Sequence, residues 1–217
     1  MSNFKFVSKK GRAPIKKNLM SIIHKVQKNV REKFTFRYDF VGSDKYNLVT
    51  CNFKSNVGFD FDVDIEVNDD EQHFSAKEIK EILLDAFSKV SREYGYDFAE
   101  NSTRVITIKV KDKEKSKILH SCDFAIVNNY IDDNECQRQE YIHFNKINKK
   151  NPYKWQSQPT GYYELPKKFQ WIKDNEYLGE LRKLYLDKKN NNTQNKHSYS
   201  LRAEAVHEIC QKYGYSK

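Results

Sequence analysis

The chain has 217 residues, enough for one compact domain or for a domain with a small appendage. Hydrophobic residues make up 38% and aromatic residues 14%, which argues against wholesale disorder. Lys and Arg outnumber Asp and Glu by 39 to 30, a balance that favours partners bearing phosphate groups. No apolar run approaches the roughly 20 residues that span a bilayer, and the N-terminus lacks the apolar core of a signal peptide. We therefore expect a cytoplasmic protein without a membrane partner.

The first third of the chain alternates between helical and strand patterns. Apolar residues recur at spacings of three and four from Ile15 to Phe34, and Pro14 precedes them, which predicts one amphipathic helix. The aromatic alternation of FTFRYDFV then predicts a short strand that ends at Gly42. The following DKYNLVT is interpreted as a turn or a short helix.

The segment GFDFDVDIEV, residues 58–67, alternates strictly between apolar and acidic residues. Such alternation predicts a strand with one apolar and one acidic face. After it, Ser75-Ala76-Lys77-Glu78 is a capping-box sequence, and apolar residues at helical spacing follow as far as Tyr94 and Gly95. A second long helix is predicted there.

The second half predicts strands first and helices last. Two strands joined by a charged turn are predicted at RVITIKV and KILHSCDFAIV, and a third strand is predicted at QEYIHFN. Residues 148–169, rich in Pro, Gly and aromatics without a period, are interpreted as an extended connector. Helices are predicted around 177–186 and over 198–213, separated by the polar run DKKNNNTQNK as a loop.

Three carboxylates on one strand face are costly, because like charges repel and must be neutralised where water is excluded. Asp60, Asp62 and Asp64 are placed in this way, and a divalent cation is one solution; an acidic solvent-exposed face is the alternative. Asp123 lies inside an otherwise apolar strand, where an unpaired carboxylate is expensive. It is interpreted either as a third metal ligand or as the partner of a Lys or Arg residue.

The pair Gly42-Ser43 lies between a predicted strand and a turn or short helix. A tight turn there supplies backbone N–H groups and a hydroxyl, which suit triphosphate oxygens. Most Gly-Ser pairs are ordinary turns, so this motif gains meaning only together with the carboxylates.

The combination resembles the polymerase-β-like nucleotidyltransferases: a Gly-Ser turn (Gly42-Ser43), an acid-x-acid strand (Asp60-Phe61-Asp62) and a third acid in a later strand (Asp123). The gap of residues 44–59 is somewhat longer than this family usually shows. Asp60 and Asp62 are preferred as the acidic pair over Asp62 and Asp64, because the second choice lengthens the gap further.

A looser resemblance points within that superfamily to the cyclic-oligonucleotide synthases of antiviral signalling and the oligoadenylate synthetase group. Those proteins commonly have a Trp and a Pro-Gly segment before a basic helix, and a Ser-Tyr pair that opens a later helix. This chain offers Trp155, Pro159-Thr160-Gly161, LRKLYL and His197-Ser198-Tyr199. The resemblance implies that Lys183 contacts the triphosphate, Ser198 its terminal phosphate, and Tyr199 the base.

The implied fold is α/β (α+β): a nucleotidyltransferase palm over residues 1–160, with a mixed, mostly antiparallel sheet flanked by helices, and a short helical part over residues 161–217 that completes the nucleotide cleft. The implied cofactor is two Mg²⁺ (or Mn²⁺) ions on Asp60, Asp62 and Asp123.

The implied reaction moves a nucleoside monophosphate from a nucleoside triphosphate to an acceptor hydroxyl. A second-messenger synthase, a transferase acting on RNA, protein or a small molecule, and a non-catalytic nucleotide or RNA binder remain open, and the oligomeric state is unassigned. Members with this organisation typically carry a larger helical domain, so a shallow acceptor side is expected.

Overall fold

A computed structural model describes residues 3–56, 58–69, 73–148, 150, 152–159 and 161–216. In chain order the elements are β1 (Phe4–Phe6), α1 (Lys9–Val30), β2 (Thr35–Val41), α2 (Gly42–Lys45), β3 (Thr50–Asn52), β4 (Phe59–Asn68), α3 (Ala76–Arg92), β5 (Glu100–Asn101), β6 (Val105–Asp112), β7 (Lys117–Ile131), β8 (Gln137–Phe144), β9 (Tyr153–Ser157), α4 (Gly161–Asp174), α5 (Leu178–Asn190) and α6 (Ser198–Lys212).

The chain forms two compact units. One, here called the sheet unit, comprises Val7–Val49 and Asn56–Gln158. The other, here called the helical unit, comprises Met1–Phe6, Thr50–Ser55 and Pro159–Lys217. The palm and helical part were predicted to meet between residues 160 and 161; Thr160 lies outside the described residues.

Seven described strands of the sheet unit form one sheet. Its order is β2-β4-β7-β6-β5, and β8 pairs with β7 beyond the end of β6 while β9 pairs with β8. Only the β4–β7 pairing is parallel among the described strand pairs. The predicted mixed, mostly antiparallel sheet is therefore confirmed.

The core of the sheet unit lies between this sheet and the helices α1 and α3. Phe61 and Ile65 of β4 are fully buried, as is Phe124 of β7. Phe87 of α3 stacks on Phe124 with 4.1 Å between ring centroids. Each such side chain contributes about 2 kcal/mol by leaving water, so the apolar strand faces fix which face of the sheet the helices cover.

The predicted capping box begins α3. The Ser75 hydroxyl accepts a hydrogen bond from the Glu78 amide at 3.3 Å, and the Glu78 carboxylate accepts one from the Ser75 amide at 2.8 Å. These reciprocal bonds satisfy amides that have no partner within the helix. This helix was predictable because its start signal is local.

Two sequence predictions about secondary structure were wrong. Residues 148–169 are not a plain connector, because they contain strand β9 and the start of helix α4. The strand forms through pairing with β8, and the helix buries Leu165, Phe169 and Ile172 at spacings of four and three. The polar run from Asp187 was assigned to a loop, yet α5 continues to Asn190.

The helical unit has its own packing. Strands β1 and β3 pair antiparallel, and helices α4, α5 and α6 bury apolar side chains against one another. Leu181 of α5 and Ala205 and Val206 of α6 have no exposed surface. None of the described helices is both long and apolar enough to cross a bilayer.

Candidate active site

Strand β4 divides its side chains between two faces as its sequence predicts. Phe61, Val63 and Ile65 are at most 1% exposed and belong to the core. The side chains of Asp60, Asp62 and Asp64 therefore project from the opposite face, since successive residues of a strand alternate. This surface is called the carboxylate face below.

The parallel pairing of β4 with β7 adds Asp123 to the carboxylate face. Asp62 lies opposite Asp123 in the register, and Asp60 lies opposite Ser121. Residues paired in this way on adjacent strands share a face and lie about 5 Å apart. The structure thus brings the two acidic motifs together, although 60 residues separate them in sequence.

Two hydroxyl groups donate hydrogen bonds to Asp60 and Asp123 on the carboxylate face. The Ser121 hydroxyl donates to Oδ1 of Asp60, and the Thr107 hydroxyl of β6 donates to Oδ1 of Asp123 at 2.6 Å. Sequence reasoning missed both residues. The sequence signal was a hydroxyl residue within each predicted strand, and the structure shows both side chains to be at most 8% exposed.

Burial and mutual repulsion both act on the carboxylate face. Burial raises the pKa of Asp123 to about 6; its bond from Thr107 opposes the shift, and the charges of Asp60 and Asp62 add to it. Burial likewise raises the pKa of Asp64 to about 6, opposed by a hydrogen bond from Gln139 and reinforced by Asp62. A cation placed here would lower the cost of ionising these groups.

Gly42 begins α2 in direct contact with the carboxylate face. Its φ is +60°, and a β-carbon there would lie 1.9 Å from Oδ2 of Asp62. A side chain at this position would therefore be strained and would also displace the carboxylate. Ser43 follows, and its carbonyl accepts from the amide of Leu48 at 2.8 Å, which closes the turn.

A buried ion cluster anchors this turn to α1. Arg12 is 3% exposed; its guanidinium donates to Asp44 at 2.6 Å, to Asn47 at 2.9 Å and to the carbonyl of Val7 at 2.8 Å. Lys16 donates to the other oxygen of Asp44 at 2.6 Å. Burial opposes the effect, but the two cations lower the pKa of Asp44, so the carboxylate stays ionised. Sequence reasoning missed this cluster.

The three predicted phosphate and base contacts, Lys183, Ser198 and Tyr199, have different surroundings within the helical unit. Ser198 begins α6, and its hydroxyl accepts a hydrogen bond at 2.7 Å from Lys189. Lys183 is exposed and lines a shallow groove between α5 and α6 that also contains Glu180 and Asp187.

Lys189 is 9% exposed and lies 4.3 Å from the ring centroid of Phe4. Sequence analysis missed it because it was assigned to a loop. Leu181, Tyr185 and Lys189 share the buried face of α5 at a spacing of four, which is the signal that would have found it. Tyr199 is 44% exposed, with the Arg202 guanidinium 5.3 Å from its ring centroid.

Comparison with solved structures gives the fold. A crystal structure of the Vibrio cholerae cyclic AMP-GMP synthase DncV, described as a prokaryotic cGAS homolog, aligns with a TM-score of 0.63 at 14% identity and covers 98% of this chain. Its form bound to 3′-deoxy ATP aligns with a TM-score of 0.53 at 16% identity over 92%. This chain has the nucleotidyltransferase fold of the cyclic-dinucleotide synthases.

The likeness to these synthases is one of fold. The chain spans 69% of the first DncV chain and 52% of the second. The Bradyrhizobium diazoefficiens CD-NTase CdnG in complex with GTP aligns over 72% of this chain at 14% identity, with a TM-score of 0.48, and the chain spans 41% of it. No protein-family model and no curated protein sequence matches the chain. The DncV alignments confirm, at the level of fold, the resemblance that the motifs indicated.

The chemistry of the carboxylate face fits a hard divalent cation of the kind that this nucleotidyltransferase fold implies. Its donors are carboxylate oxygens, which Mg²⁺ and Mn²⁺ prefer, and the pKa of Asp123 is raised first by burial and then by the charges of Asp60 and Asp62. Within the described ranges, no three His, Cys, Asp or Glu side chains already converge around one point. Asp60 and Asp123 are instead turned toward their hydroxyl partners.

Proposed function

We propose that this chain is a metal-dependent nucleotidyltransferase, which moves a nucleoside monophosphate from a nucleoside triphosphate to an acceptor hydroxyl and releases pyrophosphate. The register of β4 and β7 carries the proposal, because it sets Asp60, Asp62 and Asp123 on one face beside the Gly42 turn. A binding module for polyanions would gain nothing from three repelling carboxylates at this place.

Asp60, Asp62 and Asp123 are the residues that would hold the metal. Two Mg²⁺ or Mn²⁺ ions bound there would neutralise phosphate charge and lower the pKa of the acceptor hydroxyl. Thr107 and Ser121 would orient the carboxylates through the hydrogen bonds that their hydroxyls donate to Asp123 and Asp60.

Two elements of the chain suit triphosphate oxygens. In the sheet unit, Ser43 and the backbone N–H groups of the turn at Gly42 offer donors next to Asp62. In the helical unit, Lys189 and Ser198 offer an ammonium and a hydroxyl already 2.7 Å apart. We propose this pair, in place of Lys183 and Ser198, as the phosphate contact of the helical unit, with Tyr199 contacting the base.

The acceptor that we propose is a second nucleotide, which would make the product a nucleotide second messenger. Support comes from the same fold in a DncV structure in complex with the linear intermediate 5′-pppA(3′,5′)pG, with a TM-score of 0.61 at 13% identity. Transfer to RNA, a protein or a small molecule is the alternative, and it differs only in the group that presents the hydroxyl.

Incubation of the protein with each α-labelled nucleoside triphosphate tests both statements. The reactions contain Mg²⁺ or Mn²⁺, with and without RNA, and Asp62→Ala is the control. Labelled small oligonucleotides in the wild-type reaction alone support a messenger synthase, and label on a macromolecule supports the alternative. Absence of labelled product under every condition would rule out nucleotidyl transfer by this chain.

A further inference from the structure

The edge of β7 has a junction where two strands meet end to end. Strand β6 pairs with β7 through residues 117–125, and β8 takes over through residues 127–131. The amide of Phe144 at the end of β8 donates to the carbonyl of Thr103 just before β6, at 2.7 Å. Side chains from two distant hairpins are therefore brought side by side.

Three basic residues meet at this junction. Arg104 lies with its guanidinium 4.8 Å from the ring centroid of Tyr141, and the rings of Tyr141 and His143 are 6.4 Å apart. His143 is paired across β8 and β9 with Lys154, so their side chains share a face. Arg104 and Lys154 are exposed, whereas Tyr141 is only 3% exposed and fixes the guanidinium above it.

A fourth cation lies beneath the junction. Lys80 of α3 is 1% exposed, donates to the carbonyl of Ser102 at 2.8 Å and lies 5.8 Å from the ring centroid of Phe144. Burial lowers its pKa to about 8. Burial also lowers the pKa of His143, and the charges of Lys154, Arg104 and Lys80 lower it further. The positive charges of the other three residues therefore act on the His143 ring.

No acidic residue balances these charges in the described part of the chain. Lys80, Arg104, His143 and Lys154 form no ion pair with any described carboxylate. The sequence from residue 141 to 163 has four Lys and no Asp or Glu. Among the described atoms, Nδ1 of His143 is buried and has no hydrogen-bond partner.

We propose that Arg104, His143 and Lys154, supported by Lys80, form a phosphate-binding site at the junction of β6 and β8. A guanidinium and an ammonium bind phosphate oxygens through charge-assisted hydrogen bonds, and a bound anion would relieve their mutual repulsion. The phosphate groups belong either to the backbone of an RNA strand or to a free polyphosphate such as that of a nucleotide. The site is independent of the proposed transfer reaction.

The test compares two variants that remove the same charge. Arg104→Gln/Lys154→Gln changes the site, and Lys28→Gln/Arg31→Gln changes two exposed cations at the end of α1. Binding of a labelled single-stranded RNA is followed by fluorescence anisotropy, and binding of sodium tripolyphosphate by calorimetry. Both measurements are made in EDTA, so that divalent cations do not contribute.

Removing two phosphate contacts should weaken binding about tenfold or more at low salt, and should lower the slope of log K against log salt by about 1.4 for a single strand. The control variant should change affinity less than about threefold. A selective loss of RNA binding identifies the backbone as the source, and a selective loss of tripolyphosphate binding identifies a free polyphosphate.

Equal effects of the two variants, or no binding of either probe to the wild type, would overturn the proposal. A third variant, Arg104→Lys/Lys154→Arg, keeps the charge and should retain binding within about threefold. Its retention separates loss of charge from a general disturbance of the junction, which thermal unfolding of all three variants monitors.

Discussion

The carboxylate face is built on paired strands, whereas the Lys189–Ser198 pair joins the end of one helix to the start of another. On the strands, alternation sets which side chains share a face, and the β4–β7 register sets which of them are neighbours. On the helices, the contact exists only because α5 continues as far as Asn190. The candidate metal ligands on β4 and β7 therefore had a clearer sequence signal than Lys189 at the end of α5.

The two regions also differ in how they handle charge. Asp60, Asp62 and Asp123 repel one another, and hydroxyl groups orient two of them without neutralising any. Lys189 instead donates to a neutral hydroxyl and lies over an aromatic ring. The first arrangement favours binding of cations, and the second favours binding of an anion.

The largest expected effect separates the two possible acidic pairs of β4. Asp60→Asn should lower the transfer rate by about a thousandfold, because the lost metal ligand stabilises the transition state by several kcal/mol. Asp64→Asn should stay within about tenfold of the wild type, since Asp64 lies opposite Ala125 and is bound to Gln139. Single-turnover rates measure both. A larger loss for Asp64→Asn than for Asp60→Asn would assign the metal pair to Asp62 and Asp64 instead.

Gly42→Ala should lower transfer by about a hundredfold, because the new methyl group forces the Asp62 carboxylate away from its position. The matched control is Gly95→Ala. Gly95 has a similar φ of +79° but nothing within 4 Å of a new β-carbon. It should cost about 1 kcal/mol of stability and leave the transfer rate unchanged. If both variants transfer at the same rate, the Gly42 contact does not position Asp62.

Sequence reasoning recovered the features that local pattern determines. The alternation of β4 and the capping box of α3 need only a few consecutive residues, and both were found in the structure as predicted. Asp123 was identified from a local contradiction, a carboxylate inside an apolar strand. Such signals are readable because each residue carries its own energetic cost.

Features that depend on distant pairing were missed. Arg12 meets Asp44 only after α1 packs beside the turn, and β9 becomes a strand only by pairing with β8. The Arg12–Asp44 contact and the pairing of β9 both join residues that are far apart or unpatterned in sequence, so tertiary contacts decide them. Lys189 was missed because a polar run at a helix end has no period that marks where the helix stops.

Lys189→Met tests the region at the helix ends. If Lys189 contacts the triphosphate, the variant should raise KM for the nucleoside triphosphate by about 10- to 30-fold, equivalent to roughly 1.5–2 kcal/mol for a hydrogen bond to a charged group. Lys183→Met, on the exposed side of α5, should change KM less than about threefold. Thermal unfolding checks that the buried position still folds. The reverse ranking of the two variants would restore Lys183 as the phosphate contact.

The last expected effect concerns stability, and it probes the charge on the carboxylate face without catalysis. The folded pKa of Asp64 is about 6, above the ordinary 3.8, so its contribution to stability is full below pH 3.8 and is lost as pH rises through 6. Asp64→Asn removes that loss. In EDTA, urea unfolding should show equal stability for variant and wild type near pH 4, and a variant more stable by about 3 kcal/mol at pH 8. If the difference in unfolding free energy does not change with pH, the surroundings of Asp64 neutralise its charge. Repulsion from the other carboxylates would then not act on Asp64.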